Sequence, residues 1–500
     1  MPVRQLNRQQ TWLLPPTLDE LIPDDHPARF VAMIVDSLDT ATWHKMDIEL
    51  EGEPLGAPAY HPRAMLSVWL YGFMTSTRSS RKLEAACRDQ IPYLWLTGWQ
   101  HPDHNSLWRF YKAHRQEMRH LFKLTVKTAV NMELVDLAVQ AVDGSKIAAN
   151  AAKDRTYDKN GLQGLLERTE KVIQELEKEN ETETAPVPVH LPEKLRKAEQ
   201  LRSEVKAAME QLAAEGQKNI NLTDRETKLM KTRQGLVAGY NLEAVVSPLK
   251  DSQVEKPGNL LTAVEVVTDT SDTQQLIVML EQAEENCGKK ADTSLADAGF
   301  HSGNNLADCE ERNQVIVMPE SQEQALKQPY HKDRFVYDLN SDSYLCPGGQ
   351  TLKFVCIKLA RHTQTRIYRS SQRVCRKCPA FGKCTKNKSH GRELHIGENE
   401  ATLRRHREWM KTEEAKIIYR RRKELIEPVF GIIKERMGMR RFLLRGLQKV
   451  ITEAVVLATA FNLRSLYRVW QGRSNEKRQE FTECLQGSGL IGLERSLFSC

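Results

Sequence analysis

Three Val- and Leu-rich runs followed by a helical one narrow the fold of this chain more than any other feature. LAVQAVDGSKIA begins at Leu137, and LVAGYNLEAVVS (236–247) and NLLTAVEVVTDT (259–270) follow it. Each reads as a strand, and Gly or Pro bounds the later ones. TQQLIVMLEQAEENCG then has helical spacing, and KKADTSLADAGFHSG and QVIVMP supply two further strands. Strand, strand, strand, helix, strand predicts a mixed α/β sheet.

Residues 1–135 differ. DDHPARFVAMIVDSLD opens with good N-cap residues and continues with apolar spacing of three and four, and YHPRAMLSVWLYGFMTS and SSRKLEAACRDQIPYLWLTG share that period. Arg78, Arg81, Lys82, Arg109, Lys112, Arg115 and Arg119 ride on these helices, a pattern that fits a helix-turn-helix-like DNA reader. An ordinary helical surface would look the same.

Two segments interrupt the α/β part, which is expected over 136–330 and resumes at 399–470. In the first, 161–217, two helices of alternating charge flank the Pro-rich TETAPVPVHLP, which predicts a protruding helical hairpin. The second, 331–398, holds the clustered cysteines. Residues 471–500 turn polar and read as a poorly ordered tail.

Net charge is +7 over 500 residues, and residues 352–448 concentrate the basic side chains. A localised basic stripe is the usual footprint of a phosphate-binding surface. The N-terminus lacks the apolar core of a signal peptide, and no 18-residue apolar run predicts a membrane span. VITEAVVLATAFNL reads as a packed helix.

Three acids stand out. Asp143 and Asp297 are read as strand-end residues followed by small neighbours, in VDGSK and ADAGF. Glu427 lies in YRRRKELIEPVFGIIKERMGMRRFLLRG, directly before Pro428, which should kink that helix or restart it. Lys423 and Lys434 fall on roughly the same helical face as Glu427. Two Mg²⁺ ions about 4 Å apart would activate an attacking oxygen and stabilise a departing one, and a few carboxylates suffice to hold them. Spacing alone does not bring the three together. Asp269 and Asp272 compete for the role but read as caps of the helix starting near Thr273. His301 could orient a phosphate, and a structural role is the plainer reading. Asp224 has no evident task.

Cys346-Pro-Gly-Gly, then Cys375-x2-Cys378-x5-Cys384, has the short loops that aim four thiolates at one structural Zn²⁺. Reduced thiols in a basic loop are the alternative. Cys87, Cys287, Cys309, Cys356, Cys484 and Cys500 have no paired spacing.

DDHPAR, YHPRAMLSVWLYG, SSRKLE and PDHNSLWRF, followed by VDGSKI, GYNLEAVV, LADAGFHSGNNL and YRRRKELIEPVFGIIK, occur in an order that resembles bacterial insertion-sequence transposases of the DDE class. The branch is the one typified by insertion sequence eleven eighty-two, and the resemblance covers about residues 10–470. It implies a ribonuclease-H-like core and a catalytic triad of Asp143, Asp297 and Glu427 on Mg²⁺, with Mn²⁺ as a substitute. It implies cutting of transposon ends and their joining to target DNA, with Lys434 in the family's lysine slot and Lys423 or Arg422 in its basic slot as DNA contacts, to which Arg109 of the N-terminal helices is added as a further expected contact. It further implies a homodimer in the bacterial cytoplasm, associated with the nucleoid. Tyr419 departs from the wider pattern by one residue, which leaves core packing as its alternative role. A DNA-binding relative without catalysis, or a structure-selective nuclease, would share these blocks.

Overall fold

The computed structural model describes residues 17–51, 58–181, 193–232, 235–320, 328–360, 363–387 and 389–487. TETAPVPVHLP and the last thirteen residues lie outside them.

The strands in chain order begin with β1 (Val139–Ala148), then the short pair β2 (Thr156–Tyr157) and β3 (Ile220–Asn221). The central sheet continues with β4 (Lys228–Thr232), β5 (Gly235–Pro248), β6 (Asn259–Val267), β7 (Thr293–Leu295) and β8 (Val315–Val317). β1 pairs antiparallel with β5 and parallel with β7, and β7 pairs parallel with β8. β5 is long enough to hold β4 along its first residues and β6 along the rest, both antiparallel. The parallel pairs require crossovers, supplied by helices Leu276–Cys287 and Gly303–Glu311. This mixed α/β sheet is consistent with a ribonuclease-H-like core.

The structure changes one strand boundary. β1 does not end at Asp143-Gly144. It runs on to Ala148, because Gly144–Ala148 pair with Glu243–Gly239 of β5. Asp143 is therefore mid-strand. Asp297 does follow a strand end, two residues after β7.

Alternation along the strands sorts side chains onto two faces. Val142, Val245 and Ala263 bury against the Leu276–Cys287 helix. Ala141 and Ala244 join the larger core with Leu425, Ile426 and Val429 of the Glu413–Gly431 helix. That same core takes in Phe30, Trp69, Leu83 and Phe122 of the N-terminal helices. Its centre is the Leu447–Gly472 helix, long and apolar enough to cross a membrane by length and composition, with 89% of its most apolar window buried inside the protein. Helices Pro27–Asp36, Pro62–Met74 and Arg119–Asn131 pack on it.

Arg78 is part of this packing and does not face outward as a DNA reader. It pairs with Glu453 of the long helix at 2.8 Å and also donates to the Gly438 and Arg441 carbonyls. Asp224 finds its task at the start of the same helix, where its Oδ2 accepts from the Tyr240 hydroxyl and the Gly446 N–H.

Helices Lys159–Glu181 and Glu193–Ala214 pack on each other around Leu162, Val205 and Leu212. A second, all-antiparallel sheet has the order β13-β12-β11-β10-β9. Its strands are β9 (Val336–Asp338), β10 (Ser343–Leu345), β11 (Thr351–Ala360), β12 (Thr363–Arg369) and β13 (Glu393–Gly397). Residues 475–487 are helical rather than an irregular tail, since Phe481 buries against Phe30 while Arg473 covers its ring.

Candidate active site

Asp143 projects from the middle of β1 toward the Glu413–Gly431 helix. Its Oδ2 accepts from Arg422 Nη2 at 2.7 Å, and its Oδ1 accepts the Gly144 N–H. Asp297 caps the turn at Ala298–Phe300, with its Oδ1 accepting from the Gly299 N–H at 2.8 Å. Its other oxygen lies 4.0 Å from the same Arg422 nitrogen. Two carboxylates from parallel neighbouring strands thus share one cation. Arg422 is held here, on the acids, and not on an outer surface as a DNA contact.

Burial pushes the Asp143 carboxyl up to about 6, against the pull of Arg422 and with help from the Asp297 charge. Desolvated acids in excess of their counter-ions take up a proton or a further cation. The Arg422 Nε has no hydrogen-bond partner among the described residues.

A second polar group occupies the opposite face of β1. Lys146 lies across from Asn241, and Gly144 across from Glu243. Asp272 Oδ1 accepts from Lys146 Nζ at 2.5 Å and from Asn241 Nδ2 at 2.7 Å. Glu243 is fully buried, and its Oε2 has no hydrogen-bond partner among the described residues. Gly144 makes room for it, since a Cβ there would lie 2.8 Å from the Glu243 carboxyl oxygen. Burial, then the Asp272 charge, raises the Glu243 carboxyl to about 8, against Lys146.

Asp272 is not a helix cap. The helix begins at Leu276 with Gln275 as N-cap and no side-chain capping bond. The sequence signal for this group was a Glu inside an otherwise apolar strand, an anomaly that only a buried polar partner explains.

Glu427 is exposed. It stands five residues beyond Arg422, hence about 140° further round the helix. The structure therefore brings Asp143 and Asp297 together and leaves Glu427 on another side of its helix. Among the described residues no three His, Cys, Asp or Glu form a ready cage for a metal ion. Lys423 and Arg109 are exposed, Lys434 is half-buried, and Tyr419 packs against the main core. His301 stands beside His406, with ring centroids 6.1 Å apart.

Pro428 neither breaks nor restarts the helix, which continues to Gly431 and then widens into a π turn at Ile432–Arg436. The proline lacks the N–H that would bond the Glu424 carbonyl. Asn259, at the start of β6, substitutes: its Nδ2 donates to the Leu425 carbonyl at 2.8 Å and to that of Glu424 at 3.3 Å.

Cys346, Cys375, Cys378 and Cys384 all line one cavity of about 30 Å³ beside the second sheet. The Gln350 N–H donates to Cys346 Sγ at 3.2 Å and the Arg392 N–H to Cys375 Sγ at 3.3 Å. Cys87, Cys287 and Cys309 are buried apart from this cluster.

Two family models match the chain. Residues 345–467 match the transposase DDE domain, and residues 16–113 match the transposase domain DUF772. No curated protein and no solved structure matches significantly. The two matches support an insertion-sequence transposase, a polynucleotidyl-transfer enzyme whose substrate is DNA. Glu427 and the cysteine cluster fall within the first match, and Asp143 and Asp297 within neither.

Proposed function

We propose that this protein cuts transposon ends and joins them to target DNA, using Asp143, Asp297 and Glu427 to hold two divalent cations. The observation that carries the reading is the shared cation between Asp143 and Asp297, in a chain matched at both ends by transposase domains. Hard carboxylate oxygens suit Mg²⁺, or Mn²⁺ in its place. The ions would activate water or a 3′-hydroxyl and stabilise the departing oxygen. Arg422 now supplies the positive charge between the two aspartates. Loading therefore requires the guanidinium to leave and the helix to turn Glu427 inward; the π turn directly after Gly431 is the kind of irregularity that lets a helix reset its register. Lys423, Lys434 and Arg109 serve as DNA contacts. We assign the chain to the branch typified by insertion sequence eleven eighty-two, acting as a homodimer in the bacterial cytoplasm on the nucleoid.

Asp143→Asn, Asp297→Asn and Glu427→Gln are each expected to lower cleavage of end-sequence duplex in Mg²⁺ by about a hundredfold or more, while binding of that duplex persists. A variant that cuts like wild type removes its residue from the triad. Cleavage with no strand-transfer product would make the protein a nuclease instead.

The cysteine cluster is part of the same reading, as a Zn²⁺ site. Cys346 on the β10–β11 turn and the three others between β12 and β13 would be tied by one ion, in a subdomain whose own apolar core is small. About one zinc per purified chain is expected, and chelation should expose the segment between residues 331 and 398 to protease. Metal-free protein with the same protease resistance would refute the site.

A further inference from the structure

Arg464 and Arg468 lie one turn apart on the Leu447–Gly472 helix, and Arg436 ends the π turn that faces it. None of the three forms an ion pair or a side-chain hydrogen bond among the described residues. Arg464 Nε is buried without an acceptor. Burial, then the charges of Arg436 and Arg468, disfavours the cationic form of Arg464. The more buried arginines Arg78, Arg407 and Arg473 each pair with a carboxylate, whereas half-buried Arg464 has two exposed arginines as its charged neighbours, an arrangement that lacks its anion.

The space for that anion is present. A cavity of about 70 Å³ is lined by Arg464, Arg468, Ser465, Gly258, Asn259 and Pro428, among others. Gly258 adopts φ +97°, and a Cβ there would come within 3.2 Å of Arg468 Nη1. A residue with a side chain would be strained and would press on the guanidinium. Asn259 already serves the helix carbonyls, so the cavity's remaining donors are the arginines and Ser465.

We propose that Arg464 and Arg468, with Arg436 as a nearby charge, form a pocket for one phosphate group of the DNA backbone. The proposal rests on the transposase reading. Guanidinium groups suit phosphate oxygens because their donors form a planar fork. Pro428, in the pocket wall, directly follows Glu427, so a strand anchored here runs past the exposed carboxylate. Arg422 and these arginines thus serve opposite partners, the first an acid of the chain and the others an acid of the substrate.

The test is duplex binding without Mg²⁺, followed by fluorescence anisotropy over a salt series, for wild type, Arg468→Gln and Arg464→Gln/Arg468→Gln. The double variant is expected to bind about tenfold more weakly on unrelated duplex sequences alike, with the slope of log K against log salt reduced by about one. Thermal unfolding in an anion-poor buffer should be unchanged or higher in both variants, because a repulsion has been removed. Wild-type affinity and slope in the double variant overturn the pocket. So does a lower melting temperature in both variants, which would make the arginines structural. Inorganic phosphate that raises the melting temperature of wild type alone, with duplex binding unchanged, would make this a small-anion site and likewise overturn the assignment to DNA. Wild type that binds no duplex would instead defeat the transposase reading itself.

Discussion

Two of the buried arginine–carboxylate pairs among the described residues are nearly equal in length and very different in character. Arg78–Glu453 spans 2.8 Å with side chains 8% and 2% exposed, and Arg422–Asp143 spans 2.7 Å with side chains 13% and 17% exposed. Glu453 accepts from Arg78 and from the Leu443 and Leu444 N–H groups, so its lone pairs are well served. Arg78 in turn spends its donors on two carbonyls and the Met439 sulfur. Arg422 has an orphaned Nε and must serve Asp297 as well as Asp143. A saturated pair locks helices together. An undersupplied pair, near further acids, is one that a competing cation can open. Charge satisfaction, not distance, distinguishes the two pairs.

Breaking the first pair should have the largest effect on stability. Arg78→Met is expected to cost about 3–5 kcal/mol in chemical denaturation, because Glu453 is left buried and uncompensated. Arg78→Met combined with Glu453→Leu should recover much of that loss, and a double variant no better than the single would mean that packing, not charge, was the source.

Arg422→Met should cost less, about 1–3 kcal/mol in chelator, since Asp143 can take up a proton in place of its partner. Added Mg²⁺ should raise the melting temperature of this variant more than that of wild type. Equal Mg²⁺ shifts in the two proteins would deny that Arg422 occupies a cation position. Mg²⁺ should not rescue Arg78→Met at all, and rescue there would erase the contrast.

Smallest is Asn259→Ala, expected to cost about 1 kcal/mol through two helix carbonyls left without a donor. A neutral result by denaturation would show that water satisfies them.

Parts of the site were readable from the chain because they depend on near neighbours. Asp297 follows a strand and precedes small residues, and that local context places it at a strand end wherever the strand packs. The cysteine spacing likewise sets short loops before any fold is known. Arg422 and Glu427 were a different problem. Both lie in one charged helix, and only the face chosen by Leu425, Ile426 and Val429 against the sheet determines which of them meets Asp143. Asp272 read as a cap because its sequence neighbours resemble a helix start, whereas its partners Lys146 and Asn241 come from strands far away in the chain. Pro428 read as a break because Asn259, 169 residues earlier, could not be foreseen as its substitute donor.

Periodicity, Gly and Pro placement and cysteine spacing determined the alternation of strands and helices, the two candidate strand acids and the thiol cluster, since these obey sterics over a few residues. Tertiary structure alone decided that β1 continues past Asp143, that Arg422 rather than Glu427 faces the aspartates, that Arg78 is a lock, and that Arg464 and Arg468 line one cavity. Those outcomes depend on which strands become neighbours and which helix faces bury, and both are set by contacts between residues far apart in the chain.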